Sequence, residues 1–133
     1  MAWVLIVDDD PDIRETLQYV LRDAGYAIVE VADGEDALDV LRATPYHAVV
    51  LLDLLMPGMD GREVLDILQT DHALAKRHAF VLMSANHQAL QRVPPQLLSE
   101  LKITLLPKPF DVSELLGMVA DLSSRLPGSN AIA

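Results

Sequence analysis

The stretch His47-Ala-Val-Val-Leu-Leu-Asp53-Leu-Leu-Met-Pro57-Gly-Met-Asp-Gly61 leaves this chain few ways to fold. Five apolar residues, Ala48 to Leu52, run without polar alternation and stop at a carboxylate. Such a run suits a strand buried on both faces of a parallel sheet. Pro57, Gly58 and Gly61 then supply turn chemistry. Open α/β sheets place their chemistry at the C-terminal ends of central strands, which is where this pattern puts Asp53. On these residues alone, Asp53 as a helix or turn cap is an equal reading.

The rest of the chain repeats the theme. Residues 2–7 form a second apolar run that ends at Asp8-Asp9-Asp10. Pro11 opens a helix with Asp10 as its N-cap; Ile13, Leu17, Val20, Leu21 and Ala24 share its inner face, and Gly25 stops it. Tyr26 to Val31 reads as a strand, Asp33-Gly34 as a turn, and Ala37, Leu38, Val40 and Leu41 as the inner face of a second helix. A helix starting near Gly61 buries Val64, Leu65, Ile67 and Leu68. Phe80 to Ser84 is the fourth strand and Ile103 to Leu106 the fifth, closed by Pro107-Lys108-Pro109. Asp111 or Ser113 caps a last helix with Val112, Leu115, Leu116, Val119 and Leu122 inside. Five strands alternating with five helices predict an α/β, doubly wound parallel sheet in the order 2-1-3-4-5. Residues 1–126 are expected to form one domain, and 127–133 a short disordered tail.

That order gathers Asp8, Asp9 and Asp53 at one switch point, with Ser84 and Lys108 on the same rim. Three carboxylates in one cleft repel, and without a cation at least one pKa rises. Oxygen donors suit a hard divalent ion, Mg2+ or Mn2+. Lys108, one of three lysines, is held between two prolines, and Ser84 offers a hydroxyl to an anionic oxygen. Carboxylate nucleophile, metal, ammonium and hydroxyl make the set needed for phosphoryl transfer to Asp53.

Composition narrows the remaining classes. No apolar run approaches the roughly 20 residues of a membrane span. The start of the chain lacks a basic leader, so a cytoplasmic location without membrane contact is expected. There is no cysteine, which removes disulfides, thiolate metal sites and Cys nucleophiles. A net charge of −10 opposes direct nucleic-acid binding, which needs basic surface.

Val7-Asp8-Asp9-Asp10, Leu51-Leu-Asp53-Leu-Leu-Met-Pro57-Gly-Met-Asp-Gly61, Ser84-Ala85 and Lys108-Pro109-Phe110 together resemble the receiver domain of two-component response regulators, in order and in spacing. The resemblance implies a flavodoxin-like receiver fold with Asp53 as phosphoacceptor. Phosphate would come from a histidine kinase or histidine phosphotransfer protein and would switch contacts with a downstream protein or output domain. It implies Asp9, Asp53 and the Leu55 carbonyl as ligands of Mg2+, with Asp8 acting mainly through water. Lys108 would contact the phosphoryl group, and Ser84 would rebind it. No enzyme activity is expected beyond the domain's own phosphorylation and dephosphorylation.

Three positions depart from the family. Leu105 stands where receivers carry a switch aromatic, Glu100-Leu-Lys-Ile-Thr104 replaces a small-residue turn, and the segment from Ser84 to Lys108 is long. Two other functions remain open: a receiver-like binding module that is never phosphorylated, and a haloacid-dehalogenase-like phosphatase using Asp8. Further expectations are a cis Lys108–Pro109 bond and a kinase-docking surface of Ile13, Arg14, Pro109 and Phe110. Helix 4 should start only at Pro94-Pro95 and end near Leu101, leaving 85–93 as a loop or isolated turn, because proline cannot sit deep in a helix.

Overall fold

A computed structural model describes residues 2–127. Strand β1 (Trp3–Val7), β2 (Ile28–Val31), β3 (Ala48–Asp53), β4 (Ala79–Ser84) and β5 (Ile103–Pro107) form one parallel sheet in the order β2-β1-β3-β4-β5. This is the expected topology. The register sets Val7 beside Leu52, Asp53 beside Met83 and Ser84 beside Pro107, so the chemistry-bearing residues share one rim.

Alternation along each strand sorts the core into two layers. Leu5, Val7, Val50, Leu52 and Leu82 face α2 (Gly34–Ala43) and α3 (Gly61–Thr70) through Leu38, Leu41, Val64 and Leu65. Val4, Ile6, Val49, Leu51, Val81 and Met83 face α1 (Pro11–Asp23) and α7 (Val112–Arg125) through Leu17, Leu21, Leu115 and Val119. Each fully buried Leu or Val contributes about 1.5–3 kcal/mol of transfer free energy. β3 is buried at every position, as its unbroken apolar run requires.

The helix starts carry carboxylate caps that satisfy otherwise unpaired N–H groups. Asp10 accepts from Asp12 N–H ahead of Pro11, and Asp111 from Ser113 N–H. Asp60 and Glu63 close a reciprocal capping box at α3. Asp33-Gly34, expected as a turn, is instead a helix start, with Asp33 accepting from Asp36 N–H at 2.9 Å.

Other differences are local. β2 begins at Ile28 rather than Tyr26, and Val29 is exposed because β2 is an edge strand. Ala24 and Val112 lie at helix ends and are exposed, while Val20 and Leu116 are half-buried. Among the described residues there are seven helical segments, not five. A single turn, α4 (His72–Ala75), follows α3. The segment after β4 divides into a short α5 (His87–Gln91) and α6 (Pro95–Leu101), with the break at Pro94 as expected. α6 ends at Lys102 in the left-handed region (φ 53°), a conformation costing a non-glycine residue about 1–2 kcal/mol. Of the expected tail, Pro127 lies in a turn, and 128–133 fall outside the described residues.

Candidate functional site

The sheet order brings the ends of β1 and β3 together, and with them the three carboxylates. Asp8, Asp9 and Asp53 each offer an oxygen, and these oxygens lie within 4.8 Å of one another. Asp8 has no exposure and Asp53 is buried, whereas Asp9 faces solvent. Asp8 is therefore a buried group and not a solvated strand end. Its Oδ1 accepts from Asp10 N–H at 3.0 Å and its Oδ2 from Lys108 Nζ at 2.8 Å. Nζ also lies 3.7 Å from Asp53 Oδ1.

Burial and the neighbouring negative charge of Asp8 push the Asp53 carboxyl up to about 6, with a smaller push from Asp9. The Lys108 ammonium and the Leu55 N–H, which donates to the Asp53 carboxylate, pull it down without prevailing. A site so rich in acidic oxygen, with no nitrogen or sulfur donor in the cluster, fits a hard divalent cation.

Local packing fixes Asp53. Leu54 N–H donates to the Met83 carbonyl at 2.8 Å, and Gly61 N–H to the Leu54 carbonyl at 3.0 Å. A Cβ at Gly61 would stand 2.4 Å from the Asp53 carbonyl oxygen, so only glycine allows α3 to start this close to β3. Ser84 is buried, and its Oγ accepts from Asn86 N–H at 3.0 Å. The Lys108–Pro109 bond is cis, as expected. Lys108 N–H donates to the Ser84 carbonyl at 2.9 Å.

All the predicted site residues thus converge on one rim. Two neighbours escaped sequence reasoning. His87 donates from Nε2 to the Lys108 carbonyl at 2.9 Å, across 21 positions of chain, and no local pattern signals it. Arg14, expected at a docking surface, uses its guanidinium internally: Nη1 donates to the Asp8 carbonyl at 2.7 Å and Nε to Glu30 at 3.3 Å. Ile13 and Phe110 are half-buried against the core layer of α1 and α7, so the expected apolar patch is partly core, and Pro109 alone of the four is exposed.

The chain matches the response regulator receiver domain family over residues 4–120. It is 34% identical over 116 residues to the transcriptional regulatory protein HprR of Escherichia coli (strain K12), covering 87% of this chain and 49% of that one. It is 36% identical over 129 residues to the response regulator protein FleR of Pseudomonas aeruginosa, covering 96% of this chain and 26% of that one. The chain therefore spans half or less of these curated relatives. Among solved structures, response regulator protein TrrA from Thermotoga maritima in complex with Mg(2+)-BeF aligns with a TM-score of 0.77 at 30% identity, covering 92% of this chain and 99% of that one. Sequence, topology and the acidic rim agree: this chain belongs to the receiver domain family of two-component response regulators.

Proposed function

We propose that this receiver domain accepts a phosphoryl group from a phosphohistidine onto Asp53 in a Mg2+-dependent reaction, and that the phosphorylated form switches protein–protein contacts. The observation that carries the reading is the placement of Asp53 between two further carboxylates and the Lys108 ammonium, 3.7 Å away. An Asp53 oxygen forms the O–P bond as the donor's N–P bond breaks, and the electron pair of that bond returns to the imidazole nitrogen. Lys108 neutralises charge on the transferred oxygens, and the Ser84 hydroxyl, whose O–H remains free to donate, binds one of them. Asp9, Asp53 and the Leu55 carbonyl would hold Mg2+ (or Mn2+), with Asp8 acting mainly through water, and the ion supplies charge neutralisation when bound. The complex of TrrA with Mg(2+)-BeF supports the same chemistry here.

The donor is a histidine kinase or histidine phosphotransfer protein, and the recipient of the signal is a downstream protein or output domain. Pro109, with the outer edges of Ile13 and Phe110, forms the docking surface for the donor. Net charge −10 opposes direct nucleic-acid contact by this chain, although HprR is a transcriptional regulator. Among the described residues no helix is long and apolar enough to cross a membrane, in keeping with the cytoplasmic location proposed here.

The burial of Asp8 and the occupation of both its oxygens disfavour the phosphatase reading, since a nucleophile needs an oxygen open to substrate. Incubation with labelled acetyl phosphate and Mg2+ tests the proposal. Label on Asp53, lost in Asp53→Asn, supports it. Label on Asp8 would favour the phosphatase, and no label from acetyl phosphate or a cognate kinase would favour the unphosphorylated module.

A further inference from the structure

Both main-chain groups of Lys108 are held by the end of β4 and the turn that follows it. Its N–H donates to the Ser84 carbonyl at 2.9 Å, and its carbonyl accepts from His87 Nε2–H at 2.9 Å. The same short turn holds the Ser84 hydroxyl, whose Oγ accepts from Asn86 N–H at 3.0 Å. Asn86 in turn caps α5 through Ala89 N–H at 3.0 Å, so hydrogen bonds link residues 84–89 into one turn. Pro109 has no N–H to offer, so the corner at Lys108 depends on partners from elsewhere in the chain.

We propose that His87 is a positioning residue: its hydrogen bond to the Lys108 carbonyl ties the ammonium that neutralises the phosphoryl group to the loop whose hydroxyl binds it. The inference rests on the phosphoacceptor reading. A carbonyl only accepts, so the imidazole must present Nε2–H, and this atom is the one at working distance. When Ser84 shifts toward a phosphoryl oxygen on Asp53, Asn86 and His87 follow, and the Lys108 corner is carried with them. Without the tether, the Lys108 corner keeps only its N–H bond to the Ser84 carbonyl, and its carbonyl side must be ordered separately. His87 is exposed, so its side chain is not required by the core.

The reach of the donor makes the test specific. Glutamine carries an amide N–H at about the distance of Nε2 from the main chain, whereas asparagine carries one at about the distance of Nδ1. Beryllofluoride affinity and the labelling rate from acetyl phosphate are measured with Mg2+ in the wild-type chain and in His87→Ala, His87→Asn and His87→Gln. A single neutral hydrogen bond predicts losses of about threefold to tenfold in the Ala and Asn variants and a return to within about twofold in Gln. Mg2+ affinity and the thermal midpoint stay at wild-type values in all three. No loss in Ala, an equal loss in Gln, or a parallel fall in Mg2+ affinity or thermal midpoint would overturn the tether alone. A wild-type chain that binds no beryllofluoride and takes no label would overturn the phosphoacceptor reading, and the tether with it.

Discussion

Nζ of Lys108 lies 2.8 Å from Oδ2 of Asp8, a carboxylate with no exposure, and 0.9 Å farther, at 3.7 Å, from Oδ1 of Asp53. The ammonium is thus anchored on a carboxylate that is not the proposed acceptor, and it stands beside the position a phosphoryl group would take. Asp8 does two jobs at once: it neutralises Lys108, and it adds its negative charge to the burial that keeps Asp53 from ionising easily.

Removing the cation should expose that arrangement. Lys108→Ala leaves the Asp8 charge buried and unpaired, a change that costs about 3 kcal/mol or more. Added Mg2+ replaces the lost positive charge and binds only the folded form, so it should recover most of the loss. Urea unfolding with and without Mg2+ measures both terms. A variant as stable as wild type without metal, or one that Mg2+ does not rescue, would contradict the pairing.

Gly61 and Gly117 should respond in opposite directions. A Cβ at Gly61 meets the Asp53 carbonyl oxygen at 2.4 Å and Leu54 Cα at 2.8 Å, and neither main-chain atom can swing aside. Gly61→Ala should therefore cost about 1–3 kcal/mol and slow labelling of Asp53. Gly117 lies within α7 with nothing within 4 Å of its Cβ position, so Gly117→Ala should gain about 0.5–1 kcal/mol and leave labelling unchanged. Thermal unfolding of the two variants decides the matter.

The legible parts of this chain are those where one signal serves both fold and site. An apolar run that stops at a carboxylate identifies β1 and β3 and also Asp8 and Asp53, because a strand buried on both faces cannot alternate. Pro94 and Pro95 mark the break between α5 and α6 for an equally direct reason, the lost N–H and the steric clash. The one-turn α4 is too short for a periodic pattern. Asp33-Gly34 misleads because the same pair serves a turn and an N-cap with its first helical residue. Arg14 on the Asp8 carbonyl and His87 on the Lys108 carbonyl are side-chain contacts to the main chain of another element's end, which no local residue pattern signals.

His78 gives a pH dependence remote from the acidic rim. It is buried just before β4, where Nδ1 accepts the Ala48 N–H at 3.1 Å and Nε2 has no hydrogen-bond partner among the described residues. Burial above all, with the charges of Arg77 and His47 added, lowers its pKa from the ordinary 6.5 to about 4. The folded form therefore binds fewer protons than the unfolded chain between these values. Stability is full above 6.5 and falls as pH drops toward 4, by at most about 1.4 kcal/mol per pH unit. His78→Asn keeps an acceptor for Ala48 N–H but does not titrate. The difference in unfolding free energy between wild type and variant should narrow or reverse as pH falls through this window. A constant difference from pH 7 to 4 would show that His78 does not titrate there.

The segment between β4 and β5 should carry the response to phosphorylation. α5 is anchored by Leu90 and followed by buried Val93, while α6 starts afresh at Pro95 and is held by Leu97 and Leu101. Two short helices joined at a proline can shift separately, because no N–H···O ladder crosses the junction. Leu105 is half-buried against the core and carries no ring to swing between buried and exposed positions. Within the segment between β4 and β5, movement that begins at Ser84 is therefore expected to stay in residues 85–93, with the Lys108 corner following through its two main-chain bonds. Hydrogen exchange with and without beryllofluoride and Mg2+ should change in 85–93 and remain constant in 95–101. Pro94→Ala with Pro95→Ala removes the obstacle to one continuous helix, a constraint worth about 3 kcal/mol for each proline placed deep in a helix, and should shrink the difference or spread it into 95–101. Identical protection of 85–93 in both states of the wild-type chain would place the response elsewhere.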